Sequence, residues 1–162
     1  MPVNIRFFRS EDLPELQAIT IQAFDGVSID QSIEQQFGEI NGHNWKWRKS
    51  RHLDQDVARD PAGIFVAEEG SQIIGYITTF SDSEAGIGMI PNLAIVASQR
   101  GKGIGRMLLQ HALDHFRSQG LSHAKIETLE QNTVGSNLYP SLGFCEVSRQ
   151  IHYAMSLTKE VS

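Results

Sequence analysis

The residues best placed to do chemistry stand together at positions 100–105, Arg100-Gly101-Lys102-Gly103-Ile104-Gly105. An apolar run, Ile90 to Val96, leads into them, and an amphipathic stretch follows at once. A strand, a glycine-rich loop and a helix N-terminus in that order can bind an anion. Backbone N–H groups converge there, and the helix dipole puts its positive end at the same point. Glycine lets the chain turn with positive φ and lets a phosphate approach the backbone closely. Arg100, Lys102 and Arg106 add positive charge around it. The spacing is not that of two common phosphate binders. A nucleotide P-loop needs Gly-x-x-x-x-Gly-Lys-Ser/Thr, and a dinucleotide loop needs Gly-x-Gly-x-x-Gly. Here the sixth residue counted from Gly101 is Arg106, and from Gly103 it is Leu108. What stands is Arg100-x-x-Gly103-x-Gly105, either an anion cradle or a tight turn with no ligand.

Other chemistries have less support. Cys145 is the single cysteine, which excludes an internal disulfide and fits a reducing, cytoplasmic setting. Between Phe144 and Glu146 it reads as a small buried thiol in a strand rather than a nucleophile. The six histidines lack ligand spacing. His111 and His115 are four apart on one helix but have no third ligand nearby, so no metal is expected. Trp45, Lys46, Trp47, Arg48, Lys49 and Arg51 form the most basic and aromatic patch. It reads either as a substrate or cofactor wall or as an amphipathic helix that packs its tryptophans and solvates its charges.

The elements that must position these residues follow from periodicity. Ile104, Met107, Leu108, His111, Ala112 and Phe116 recur at helical spacing, Arg106, Gln110, Asp114 and Arg117 take the other face, and Gly120 stops the helix. Strands are expected at 3–8, 64–68, 73–80, 87–96, 123–129, 144–148 and 151–157. Ser10 reads as the N-cap of a first helix that runs to about residue 24, with Pro14 in its first turn. Shorter helices are expected over 30–38, 45–59 and 132–142, and residues 159–162 should fray. This order, β, two or three α, β-β-β, α, β, α, β-β, makes a mixed sheet with helices packed on it, an α/β fold. A chain of 162 residues with 40% hydrophobic residues is one domain, 1–162, with a packed core. A net charge of −5 argues against a general nucleic-acid binder, and no apolar run is long enough to span a membrane. The first residues also lack the apolar core of a signal peptide.

A second signature lies about thirty residues after the glycine loop. Asn132 is followed four residues on by the small Ser136, then by Leu138-Tyr139 and Leu142-Gly143-Phe144. Together with Arg100-x-x-Gly103-x-Gly105, in this order and on these elements, it resembles the GNAT superfamily of acyl-CoA-dependent N-acyltransferases over the whole chain. Three positions depart from that pattern. Ala97 stands where the family often has proline, Ser136 where many members have alanine, and Pro140 lies late in a helix that it should bend or end early.

The resemblance implies a mostly antiparallel sheet of about seven strands, with helices on both faces and a splayed central pair whose slot takes the pantetheine arm of acetyl-CoA. The backbone of Gly101, Lys102, Gly103, Ile104 and Gly105, with Arg100 at the entry, would hold the pyrophosphate. Ile95 and Val96 would bond the pantetheine through their backbone, an N–H near Leu93 to Ile95 would face the thioester carbonyl, and Asn132 would bond the arm from the opposite side. Tyr139 would protonate or stabilise the departing thiolate. The general base is open: Glu127 is the first candidate and Glu84 and Glu130 follow, while a water chain or a backbone carbonyl could serve instead. The implied reaction is acetyl transfer to a primary amine by direct attack, without a covalent acyl-enzyme. The acceptor is a small amine, an amino acid or a peptide N-terminus, its pocket shaped by residues of about 24–47 and 149–152. Asp25, Asp30, Glu34 and Glu39 either attract a cationic amine or form a solvated face. No nucleic-acid or membrane partner is expected, and a homodimer is left open. The alternatives are a CoA-binding regulatory or sensor domain of the same fold without catalysis, and a nucleotide-phosphate module unrelated to CoA, against which the loop spacing argues.

Overall fold

The computed structural model describes residues 2–158; the fraying expected of 159–162 lies outside them. Among the described residues the sheet has five strands in sequential order: β1 (Val3–Phe7), β2 (Ile64–Glu69), β3 (Gln72–Asp82), β4 (Ile87–Ile95) and β5 (His123–Ile126). The first four run antiparallel, and β5 joins β4 in parallel. A parallel pair needs a crossover, which is α4 (Ile104–Ser118). α1 (Leu13–Ala23), α2 (Ile29–Phe37) and α3 (Trp45–Arg59) come between β1 and β2, and α5 (Thr133–Ser141) follows β5.

The strand pattern explains why helices cover both faces. In β2 the run Ile64-Phe65-Val66-Ala67 is buried throughout. Ile64 and Val66 pack with Leu16 and Leu53 of α1 and α3, while Phe65 and Ala67 pack with Leu108, Leu109 and Ala112 of α4. A strand covered on both sides cannot alternate with polar residues. The buried Thr20 hydroxyl of α1 lies 2.5 Å from the Tyr76 hydroxyl of β3 and donates to the Leu16 carbonyl, which ties the first helix to the sheet.

Two expectations about the ends of elements are corrected. A 3₁₀ turn, Ser10–Asp12, precedes α1, so Ser10 does not cap that helix; the Asp12 carboxylate accepts from the Arg9 N–H. The strand expected over 123–129 stops at Ile126, the last residue paired with β4.

The largest correction is at the C-terminal end. The strands expected over 144–148 and 151–157 do not form, so the sheet has five strands rather than about seven. α5 runs through Pro140 to Ser141, and Gly143 turns the chain with φ 103°. The segment beyond Phe144 then leaves the sheet. Cys145 is accordingly exposed, neither buried nor in a strand.

Candidate active site

The site begins with an irregularity in β4. Thr78 pairs with Asn92 and Phe80 with Met89, so β4 carries one more residue than β3 between those pairs. The extra residue falls at Ile90-Pro91, a β-bulge, and proline suits it because it has no N–H to donate to a ladder. The β4–β5 pairing ends at the same place, at Ile90 and Ile126, while β4 continues to Ile95 beside β3 alone. The bulge bends β4 and terminates its pairing with β5, which opens the expected slot between the two central strands.

Alternation decides which backbone groups face the slot. The Asn92 N–H goes to Thr78 Oγ1 and the Val96 N–H to the Ile74 carbonyl, both on β3. The backbone of Leu93 and Ile95 therefore points the other way, into the gap. The Val96 N–H is thus engaged with β3, and its carbonyl accepts the Gln99 N–H.

β4 delivers the chain into the glycine loop through a 3₁₀ turn, Ala97–Gln99. Gly101 and Gly103 have φ of 78° and 82°, the left-handed region that favours glycine. The first α4 amide with a backbone acceptor is Met107, to the Gly103 carbonyl at 3.1 Å. Among the described residues the amides of 101–106 have no backbone acceptor, the condition for an anion cradle at a helix start. Arg100 and Lys102 are exposed beside it, Lys102 within 3.3 Å of Gln99 Oε1. Arg106 is turned aside, to Ser141 Oγ at 2.7 Å. At Gly105 a Cβ would stand 3.3 Å from Leu138 Cδ2 and 4.0 Å from Ile95 Cγ1, so this glycine lets α4, α5 and β4 meet. These residues fit a pyrophosphate with a pantetheine arm: orphan amides for the first, an unpaired strand edge for the second.

The opposite wall is α5. Asn132 caps it, accepting the Gly135 N–H on Oδ1 at 3.2 Å, so only its Nδ2 is left to donate outward. Tyr139 packs against the same core cluster as Leu93 and Ile95, and burial pushes its phenol up to about 12. The phenol is therefore protonated at neutral pH. Glu127 lies just past the last β4–β5 pair, at the mouth of the slot, exposed and 3.1 Å from Lys125. Glu130 is exposed and pairs with Arg149 at 3.3 Å, while Glu84 sits in the turn before β4, at the far end from the glycine loop.

One group escaped the sequence reading. Beneath the bulge, on the α1–α3 side, Asn92 bridges two buried ions. Its Oδ1 accepts from Lys49 Nζ at 2.8 Å and its Nδ2 donates to Asp56 Oδ2 at 2.6 Å; Thr78 Oγ1 donates to the same carboxylate at 3.0 Å. Burial lowers the Lys49 ammonium to about 8 and raises the Asp56 carboxyl. The Lys49 ammonium also lies 4.0 Å from the centre of the Phe24 ring. The signal was the 45–59 helix itself, where Trp45, Lys49, Leu53 and Asp56 recur on one buried face. The basic patch thus divides. Trp45 and Lys49 face inward, while Trp47 is exposed, stacked on His43 and covered by Arg51.

Of the acidic residues considered for an amine, Asp30 lies 3.6 Å from Arg48 Nε and 3.4 Å from His52 Nε2. Glu34 accepts the Trp45 N–H, and Asp25 accepts from Gln31. Each of these three has a partner within the protein. Among the described residues no cluster of three or more metal-ligating side chains occurs. Among the described residues no helix is long and apolar enough to cross a membrane.

The chain matches the description of the Acetyltransferase (GNAT) family over residues 27–144. It is 32% identical over 115 residues to a mycothiol acetyltransferase of Thermobispora bispora, covering 68% of this chain and 39% of that protein. It is 34% identical over 101 residues to N-alpha-acetyltransferase 30 of Schizosaccharomyces pombe, covering 60% of this chain and 67% of that protein. The chain thus spans well under half the length of that mycothiol acetyltransferase. In fold it is similar to the PaiA N-acetyltransferase of Thermoplasma acidophilum, solved in complex with coenzyme A, with a TM-score of 0.74, 22% identity and coverage of 93% and 94% of the two chains. The slot, the glycine cradle and the matched span agree: the chain belongs to the GNAT acetyltransferase family.

Proposed function

We propose that the chain, as a single domain, transfers the acetyl group of acetyl-CoA to a primary amine. The observation that carries this reading is the unpaired edge of β4 at Leu93 and Ile95, ending in the orphan amides of 101–106, with Tyr139 packed on the same core cluster. The edge aligns the pantetheine as an added strand, and the Leu93 or Ile95 N–H polarises the thioester carbonyl and holds the oxyanion as it forms. The amine nitrogen bonds to the carbonyl carbon, the C–S bond breaks, the Tyr139 hydroxyl gives its proton to the thiolate sulfur, and the proton that the nitrogen sheds on becoming an amide returns through water to the Tyr139 oxygen. The nucleophile must first lose a proton, which Glu127 takes at the mouth of the slot, directly or through water. No covalent acyl-enzyme is needed, because the amine attacks the thioester carbonyl directly.

The acceptor is a small amine or a peptide N-terminus. The name of one relative, N-alpha-acetyltransferase 30, is that of an enzyme that acetylates an α-nitrogen, which supports that class. A single exposed thiol fits a reducing, cytoplasmic location.

The test is steady-state acetyl transfer to a panel of amines and peptides. Tyr139→Phe should lower kcat about 10- to 1000-fold with little change in KM for acetyl-CoA. In the same assay Glu127→Gln should flatten the acidic limb of the pH–rate profile. Wild-type turnover by the first variant removes Tyr139 as the acid, and an unchanged limb in the second assigns the base to water. CoA binding without turnover on every amine favours a regulatory domain of this fold.

A further inference from the structure

The segment 144–157 has a surface that the described residues leave uncovered. From Val147 onward apolar and polar residues alternate: Val147, Ile151, Tyr153, Met155 and Leu157 share one side, interrupted only by Arg149, while Ser148, Gln150, His152, Ala154 and Ser156 take the other. That is the two-residue period of a strand with one buried face. Yet these five apolar side chains are 93%, 77%, 89%, 76% and 89% exposed. The segment's hydrogen bonds are local or to the surface, from Arg149 to Glu146 and Glu130 and between Ser156 and Thr158.

The sheet has the matching deficiency. β5 pairs with β4 on one side, and its other edge has no partner strand among the described residues. The four residues of β5 leave unpaired N–H and C=O groups along that edge, a template for a further strand. The arm carries strand chemistry and the sheet lacks strands at one edge, but the chain leads the arm away from its own edge.

We propose that the arm is exchanged between two copies of this chain, each adding its residues 147–157 to the β5 edge of the other. A second copy is the occupant that satisfies everything at once. Two-fold exchange pairs both edges and covers both apolar stripes, leaving neither free to propagate a fibre. Burying five such side chains removes on the order of 500 Å² of apolar surface per arm, so about 1,000 Å² for two, near the lower limit of a stable interface before any backbone is counted. The assembly does not depend on the reaction proposed above.

The full chain, examined by light scattering at micromolar concentration, should have twice the mass of 18.1 kDa. Tyr153→Asp with Leu157→Asp should weaken the dimer at least tenfold while circular dichroism keeps the helix and sheet signal. Exchange is separated from other dimers by cross-linking in a Cys145→Ser background, with a short bismaleimide as the probe. Chains carrying Lys125→Cys, coexpressed with chains carrying Met155→Cys, should give a covalent dimer. A monomeric full chain, a dimer indifferent to the two aspartates, or a failure of the two chains to cross-link overturns the proposal. So does a chain carrying both cysteines that links only within itself, because the arm then lies on its own sheet.

Discussion

At the residue scale, Asn92 is the hinge between packing and chemistry. It stands one residue after the bulge and next to Leu93, whose backbone faces the slot, and it satisfies a buried cation and a buried carboxylate with one amide. Asn92→Leu would keep the volume and strand both ions. The expected cost is about 2–4 kcal/mol in urea unfolding, and a loss below about 0.5 kcal/mol would show that water or rearrangement replaces the amide. Lys49 makes a separate pH prediction. Its folded pKa, about 8, lies below the ordinary 10.5, so between those values the unfolded chain holds the extra proton. Stability attributable to Lys49 must therefore rise with pH across that window, by on the order of 3 kcal/mol at most. Lys49→Met should lack the rise; parallel pH–stability curves for the two proteins would contradict the burial of the charge.

At the scale of elements, the glycine loop, the long helix and the 45–59 helix could be read almost to the residue, because each has a strong period and clear punctuation. The splay could not be derived from periodicity. It depends on a register shift between β3 and β4, and a strand pattern carries no record of its partner's register; Pro91 was the available sign. The first turn was read from Ser10, but Asp12 does the tying. Its carboxylate takes two guanidinium bonds from Arg6, at 2.8 and 3.0 Å, and the Arg9 N–H at 2.8 Å, joining the start of α1 to β1. The Arg6 hydrogen bonds hold the Asp12 carboxyl below its usual 3.8. Its contribution is therefore complete above about pH 4 and is lost as pH falls through the lowered value. Asp12→Asn should cost about 1–3 kcal/mol at pH 7 and flatten the acid limb of the stability curve. An acid limb that keeps its wild-type slope would place the acid sensitivity elsewhere.

At the scale of the molecule, the fold class, the two helical layers and the strand–loop–helix order at 90–118 were legible, because two motifs fix the elements around the slot. The C-terminal strands were misplaced for a physical reason. Alternation says that 147–157 forms a strand but not against which sheet, and in this chain the nearest edge is not occupied by it. The acceptor side was hidden as well, since Asp30 and Glu34 have partners that only the packing of α2 on α3 brings near. The loop and the open edge of β4 together should hold acetyl-CoA, and calorimetric titration reads that binding without an acceptor. The wild-type protein should bind acetyl-CoA in preference to ATP and NAD, and Gly103→Glu, which adds a carboxylate and a side chain where φ is 82°, should lose about 100-fold or more in affinity. Equal affinity of the two proteins for acetyl-CoA would take the loop out of the binding site, and no binding by a folded wild type would leave the slot without its cofactor.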